Sequence, residues 1–124
     1  MFTDEALKRF KNPKNAGELR GYNGKGESGD PGCSDVVQLF IRFHADRVID
    51  GKFKVFGCPG AISTTDAFID IIRGKMISEA LKITDEEVAE VLGGLPITHM
   101  HCSNLPIEAF RKAWEDYKEG DKNV

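Results

Sequence analysis

The sequence predicts an α+β domain: a small antiparallel sheet of about three strands with its helices packed on one side. Three observations lead there. Residues 36–56 alternate apolar and polar side chains with the period of a hairpin. After Cys58 the period changes, and apolar residues recur at helical spacing. The order is one helix, then strands, then helices.

Thr3 is an N-cap for a helix reaching Phe10, with Asp4 and Glu5 in the first turn and Lys8 and Arg9 near the end, as the helix dipole favours. Pro13 stops it. Residues 15–35 are rich in glycine and read as loop, with a short edge strand around Lys25–Ser28. In the next strand Val37, Leu39, Ile41 and Phe43 share one face, opposite Gln38 and Arg42. Ala45-Asp46 forms a turn, and Arg47–Phe56 returns with Ile49, Phe53 and Val55 set against Lys52 and Lys54. Ile62, Thr65, Phe68, Ile69 and Ile72 mark a helix that ends near Gly74. A short helix covers Ser78–Lys82, and Thr84-Asp85-Glu86-Glu87 is a capping box for another ending near Leu92. A last helix runs from about Leu105 to Lys118, with Pro106 in its first turn.

The 124 residues fit a single domain, 1–124. Net charge is −3 with both signs interspersed, which argues against a nucleic-acid surface. No apolar run approaches the roughly 20 residues of a membrane span. The start, Met1-Phe2-Thr3-Asp4-Glu5, lacks the charge and apolar pattern of a secretion signal. The expected place is the cytoplasm. There, an odd cysteine count points to metal binding, catalysis or burial rather than a disulfide framework.

The three cysteines carry the chemistry. Cys33 lies in Gly32-Cys33-Ser34-Asp35, Cys58 in Gly57-Cys58-Pro59-Gly60, and Cys102 in His101-Cys102-Ser103. Any one alone is explained equally well as a small buried hydrophobe. Together, in loops that bracket the hairpin and precede a helix, they form a ligand set. The start of one hairpin strand and the end of its partner share a sheet edge, so Cys33 and Cys58 are expected to be close. Thiolates select zinc, copper(I) and iron–sulfur chemistry, and Asp35 or His101 can supply a fourth ligand. A carboxylate binds iron or zinc more weakly than a fourth thiolate, so the site reads as one that releases what it holds. Cys102, beside His101 and ahead of a helix, is also placed to accept sulfur as a persulfide, with Cys33 as the alternative acceptor. The run Gly24-Lys25-Gly26-Glu27-Ser28-Gly29 matches G-x-G-x-x-G but has no helix after it, so the dinucleotide reading fails.

These residues sit within longer motifs: Arg9-Phe10-Lys11-Asn12-Pro13-Lys14-Asn15-Ala16-Gly17, Cys33-Ser34-Asp35, Lys54-Val55-Phe56-Gly57-Cys58, Ala61-Ile62-Ser63 and His101-Cys102-Ser103. In this order, over nearly the whole chain, they resemble the U-type iron–sulfur cluster scaffold family, the IscU proteins and the N-terminal domain of NifU. The resemblance implies a SufE/NifU-like α+β fold. It implies a scaffold that takes sulfur from a cysteine desulfurase, builds a transient 2Fe–2S cluster with iron, and passes it to apo iron–sulfur proteins. Ferredoxin or another electron donor is an implied partner, and zinc an alternative occupant. Cys33, Cys58 and Cys102 are the implied ligands, with Asp35 or His101 completing the set and Asp35 governing lability.

The chain departs from the family in two places. Ser34 stands where the family has glycine. Leu95-Pro96-Ile97-Thr98-His99 replaces the Leu-Pro-Pro-Val-Lys segment read by a DnaK-type chaperone, which argues against dependence on one. The alternative function is a zinc-dependent sulfur acceptor of the SufU type. His101 argues against it, because that branch has another residue before its last cysteine.

Overall fold

The structure is a computed structural model and describes residues 2–30, 35–95 and 103–122. Its elements run α1 (Asp4–Lys11), β1 (Gly24–Asp30), β2 (Asp35–His44), β3 (Arg47–Phe56), α2 (Pro59–Ile72), α3 (Ile77–Ala80), α4 (Asp85–Val91) and α5 (Leu105–Lys122). The strands form an antiparallel sheet in the order β1-β2-β3. This is the α+β architecture expected, with a longer β1 and a longer last helix than the sequence pattern marks.

Both threonines cap as read, though at Thr84 the Glu87 carboxylate takes the Thr84 hydroxyl rather than its backbone N–H, so the capping box is only half formed. Thr3 accepts from the Ala6 N–H at 3.1 Å, and Thr84 from the Glu87 N–H at 3.2 Å. The Thr3 hydroxyl also donates to the Leu92 carbonyl, tying the start of α1 to the end of α4.

One face of the sheet carries the core. Val37, Leu39, Ile41, Phe43 and Phe53 pack with Phe68, Ile69 and Ile72 of α2 and Ala109, Phe110 and Ala113 of α5. Phe110 meets Phe43 and Phe68 at centroid distances of 5.8 and 5.7 Å. The glycines of β1 let α5 lie directly on that strand. A Cβ on Gly26 would stand 1.9 Å from the Ala109 carbonyl oxygen. On the opposite face Phe40 is also buried, covered by the Tyr22 ring at 5.2 Å and by the ammonium groups of Lys25 and Lys54.

The strand pattern fails at Ile49. Expected on the core face, it is 41% exposed, and its neighbour Val48 is fully buried. Arg42 pairs with Asp50 but Phe43 pairs with Val48, so Ile49 is an extra residue on β3. Such a bulge shifts the alternation by one. The turn beyond it places Ala45 and Asp46 at φ of 50° and 65°, the left-handed pair that matches strand twist.

Both borders of the sheet are tended. Along β3, the Phe53 N–H donates to the Asn15 carbonyl at 2.9 Å and the Gly17 N–H donates to Phe53 at 2.8 Å. Along β1, the Lys25 N–H donates to the Asp116 carboxylate at 2.9 Å.

A buried polar network fixes α1 and the segment after it on α2. Arg9 donates to both Asp66 and Asp70, each at 2.8 Å. The Asn15 backbone and side chain donate to Asp66 at 2.9 and 3.1 Å, and its side chain also reaches Asp70. Arg73 adds bonds to Asp70 and to Asp50 on β3 and donates to the Asn15 side-chain oxygen. Burial alone pushes the Asp70 carboxyl up, but hydrogen bonds from Arg9, Asn15 and Arg73 outweigh it and hold it below the usual carboxylate range. No described helix is long and apolar enough to cross a membrane.

Candidate functional site

The hairpin register builds the site. Val36 pairs with Phe56, so the first residue of β2 and the residues just past β3 meet at one end of the sheet. Asp35 opens β2 and points into the protein, only 2% exposed. Cys58 follows β3 and is the N-cap of α2, with Pro59 as the first helical residue. Proline suits that position because its missing N–H would have no helical partner there.

The two side chains meet. Asp35 Oδ1 accepts the Cys58 backbone N–H at 3.0 Å. Asp35 Oδ2 lies 3.4 Å from Cys58 Sγ, with the thiol donating to the carboxylate. One oxygen is thus anchored on the backbone and the other faces the sulfur. Two ligands on one tetrahedral ion, with bonds of about 2.3 Å to sulfur and 2.0–2.2 Å to oxygen, stand about 3.6 Å apart. The observed separation fits a shared metal without rearrangement, Asp35 binding through Oδ2 alone.

Of the five predicted site residues, the structure brings Asp35 and Cys58 together. Cys33, His101 and Cys102 lie outside the described residues, as do Pro96–His99 of the departing chaperone segment. Asp30 pairs with Asp35 across the connection that contains Cys33. Ser103 is fully buried, and the Ser28 hydroxyl on β1 donates to the Leu105 carbonyl at the start of α5. Beside Cys58, Phe56 is 64% exposed and borders an apolar groove of about 360 Å³ that Pro13, Phe53 and Ile62 also line. Sequence reasoning missed one contact: a Cβ at Gly57 would stand 2.1 Å from Asp35 Oδ1.

A family model described as the NifU-like N terminal domain matches residues 1–124. The chain belongs to that family. Within the family's wider kin, it is 44% identical over 117 residues to the iron-sulfur cluster assembly scaffold protein IscU 1 of Archaeoglobus fulgidus, covering 94% of this chain and 76% of that one. It is 37% identical to the IscU scaffold protein of Aquifex aeolicus, covering 94% and 75%. A crystal structure of FiSufU from Fervidobacterium islandicum AW-1 superposes with a TM-score of 0.73 at 24% identity, covering 90% of this chain and 95% of that one. That likeness establishes the NifU-like fold for the sheet and helices described above.

Proposed function

We propose that this chain is a scaffold on which iron and desulfurase-derived sulfur are assembled into a 2Fe–2S cluster that then passes to apo-proteins. Its ligands are Cys33, Cys58 and Cys102, with Asp35 as the labile fourth and His101 beside Cys102. The observation that carries this reading is the Asp35–Cys58 pair, a carboxylate and a thiol 3.4 Å apart at the mouth of a helix. Membership of the NifU-like family and the names of its IscU relatives support it.

The pair explains release as well as binding. Thiolates grip iron strongly, while a single carboxylate oxygen is a weaker ligand that an acceptor's thiol can displace. Cys102 takes sulfur from a cysteine desulfurase as a persulfide. That sulfur must be reduced to sulfide within the cluster, so an electron donor such as ferredoxin is the third partner. The exposed Phe56 and its groove offer apolar area next to the site for such a protein. The chain acts by holding and handing over its cargo, with no small-molecule turnover of its own, in the cytoplasm, where thiols stay reduced. Zinc occupies the same ligands when no cluster is present.

Anaerobic incubation with ferrous iron, cysteine, a desulfurase and reduced ferredoxin as electron donor tests the reading. The expected result is the visible absorption of a 2Fe–2S cluster, abolished in Cys58→Ser, with a persulfide on Cys102 by mass spectrometry after brief exposure. Tight zinc binding with no cluster under any of these conditions would overturn it.

A further inference from the structure

We propose that Gly57 is a positioning residue: by lacking a side chain it keeps the Asp35 carboxylate in ligand position against Cys58, and the volume at position 57 sets how firmly the site holds a metal. The inference rests on the reading of Asp35 and Cys58 as neighbouring ligands.

Glycine is commonly required where the backbone is left-handed. Gly17, Gly21, Gly74, Gly93 and Gly94 have positive φ, and Gly57 does not. It is not held in the left-handed region. What forbids a side chain is space. The three atoms nearest a Cβ built at Gly57 all belong to Asp35: Oδ1 at 2.1 Å, Cγ at 2.7 Å and Cβ at 3.0 Å. The methyl group of an alanine would occupy the place of the carboxylate oxygen that accepts the Cys58 N–H. Asp35 is nearly fully buried at the first position of β2, and its Val36 neighbour is paired with Phe56, so the backbone cannot yield without breaking the ladder. The carboxylate would have to rotate off the Cys58 amide, carrying Oδ2 away from Sγ. Gly57 therefore acts on the metal through Asp35, much as groups behind a ligand fix its orientation in other metal sites.

A double-mutant cycle decides this, with zinc alone as the probe. Zinc affinity is measured by competition with a chromophoric chelator, and apo-protein stability by thermal melting, for wild type, Gly57→Ala, Asp35→Ala and the double variant. The expected result is that Gly57→Ala weakens zinc binding by about tenfold to hundredfold in the wild-type background. With Asp35→Ala already present it changes affinity by less than about twofold. Asp35→Ala should also raise the melting temperature of Gly57→Ala, because it removes the two closest clashing atoms. Wild-type zinc affinity in Gly57→Ala, an equal loss in both backgrounds, or a double variant that melts no higher than Gly57→Ala would each overturn the proposal. If Cys58→Ala binds zinc as well as wild type, the ligand reading itself falls, and with it the effect of Gly57 on metal. The melting comparison still decides whether Gly57 makes room for the carboxylate.

Discussion

Two buried aspartates lie at α2, one beside its N-cap and one at its middle, and their surroundings differ in kind. Asp66, fully buried in the middle of the helix, receives a guanidinium from Arg9 and backbone and side-chain N–H groups from Asn15. Asp35, equally hidden, meets the amide and the thiol of Cys58 among the described residues. Charge in the first case is matched by a fixed opposite charge, and the matched groups belong to three separate stretches of chain. In the second case a described neighbour is a thiol, a second ligand on the function proposed above. On that reading a carboxylate that holds the fold together is locked by cations, whereas one that holds cargo is posed beside another ligand.

The sharpest way to break the contrast is Arg9→Ala. It strands Asp66 without its cation, and removing one partner of a buried ion pair costs about 3–5 kcal/mol. Urea unfolding at neutral pH should show that loss, and a change below about 1 kcal/mol would mean the network contributes little. Asp35→Ala should do the opposite. It should leave apo stability within about 1–2 kcal/mol of wild type, the scale of one orphaned amide. A reconstituted cluster should outlive the wild-type one, since the exchangeable ligand through which cargo leaves is gone. Lifetime of a cluster and affinity for one zinc ion are separate quantities, so this does not conflict with weaker zinc binding. Unchanged decay of the cluster's visible absorption in Asp35→Ala would remove the labile-ligand role.

Acid acts on the Arg9 network through Asp70. The folded pKa of Asp70 is depressed, so its stabilising contribution is fully present above the unfolded value of about 3.9 and fades as pH falls from there through the folded value. Melting temperature should drop over that window, and the drop should shrink in Asp70→Asn. The smallest effect is a control lying in neither region. Ala45 has φ of 50°, and glycine relieves a left-handed strain of about 1–2 kcal/mol, offset by its greater freedom when unfolded. Ala45→Gly should add up to about 1 kcal/mol while leaving zinc affinity unchanged.

What could be read from the chain was whatever depends on neighbours in sequence. The caps at Thr3 and Thr84, the hairpin and the helical face of α5 are local, and so they were legible. Hairpin topology, the argument used to place Cys33 near Cys58, also brings the start of β2 to the end of β3, where Asp35 meets Cys58. Ile49 was misplaced because a bulge is a property of the pairing between strands and leaves no mark on one strand's alternation. The Arg9 network was invisible for a related reason: its partners are 57 and 61 residues apart. Its local traces are Asp66 and Asp70, two acids four residues apart on an otherwise apolar and hydroxyl-bearing helix. The role of Gly57 was not legible because sequence does not reveal whether a missing side chain frees a backbone or makes room for a neighbour.

Asp116 has a consequence well away from the metal site. A border strand presents N–H groups that another extended chain can pair with, and sheets so joined grow into aggregates. By taking the Lys25 N–H, the Asp116 carboxylate occupies one such rung and lays a negative charge along the border of β1. An approaching strand would have to displace that bond and bring its own carbonyls up against the charge. Crowded copies of this protein are thereby kept from stitching together edge to edge, through a side chain that takes no part in handling metal.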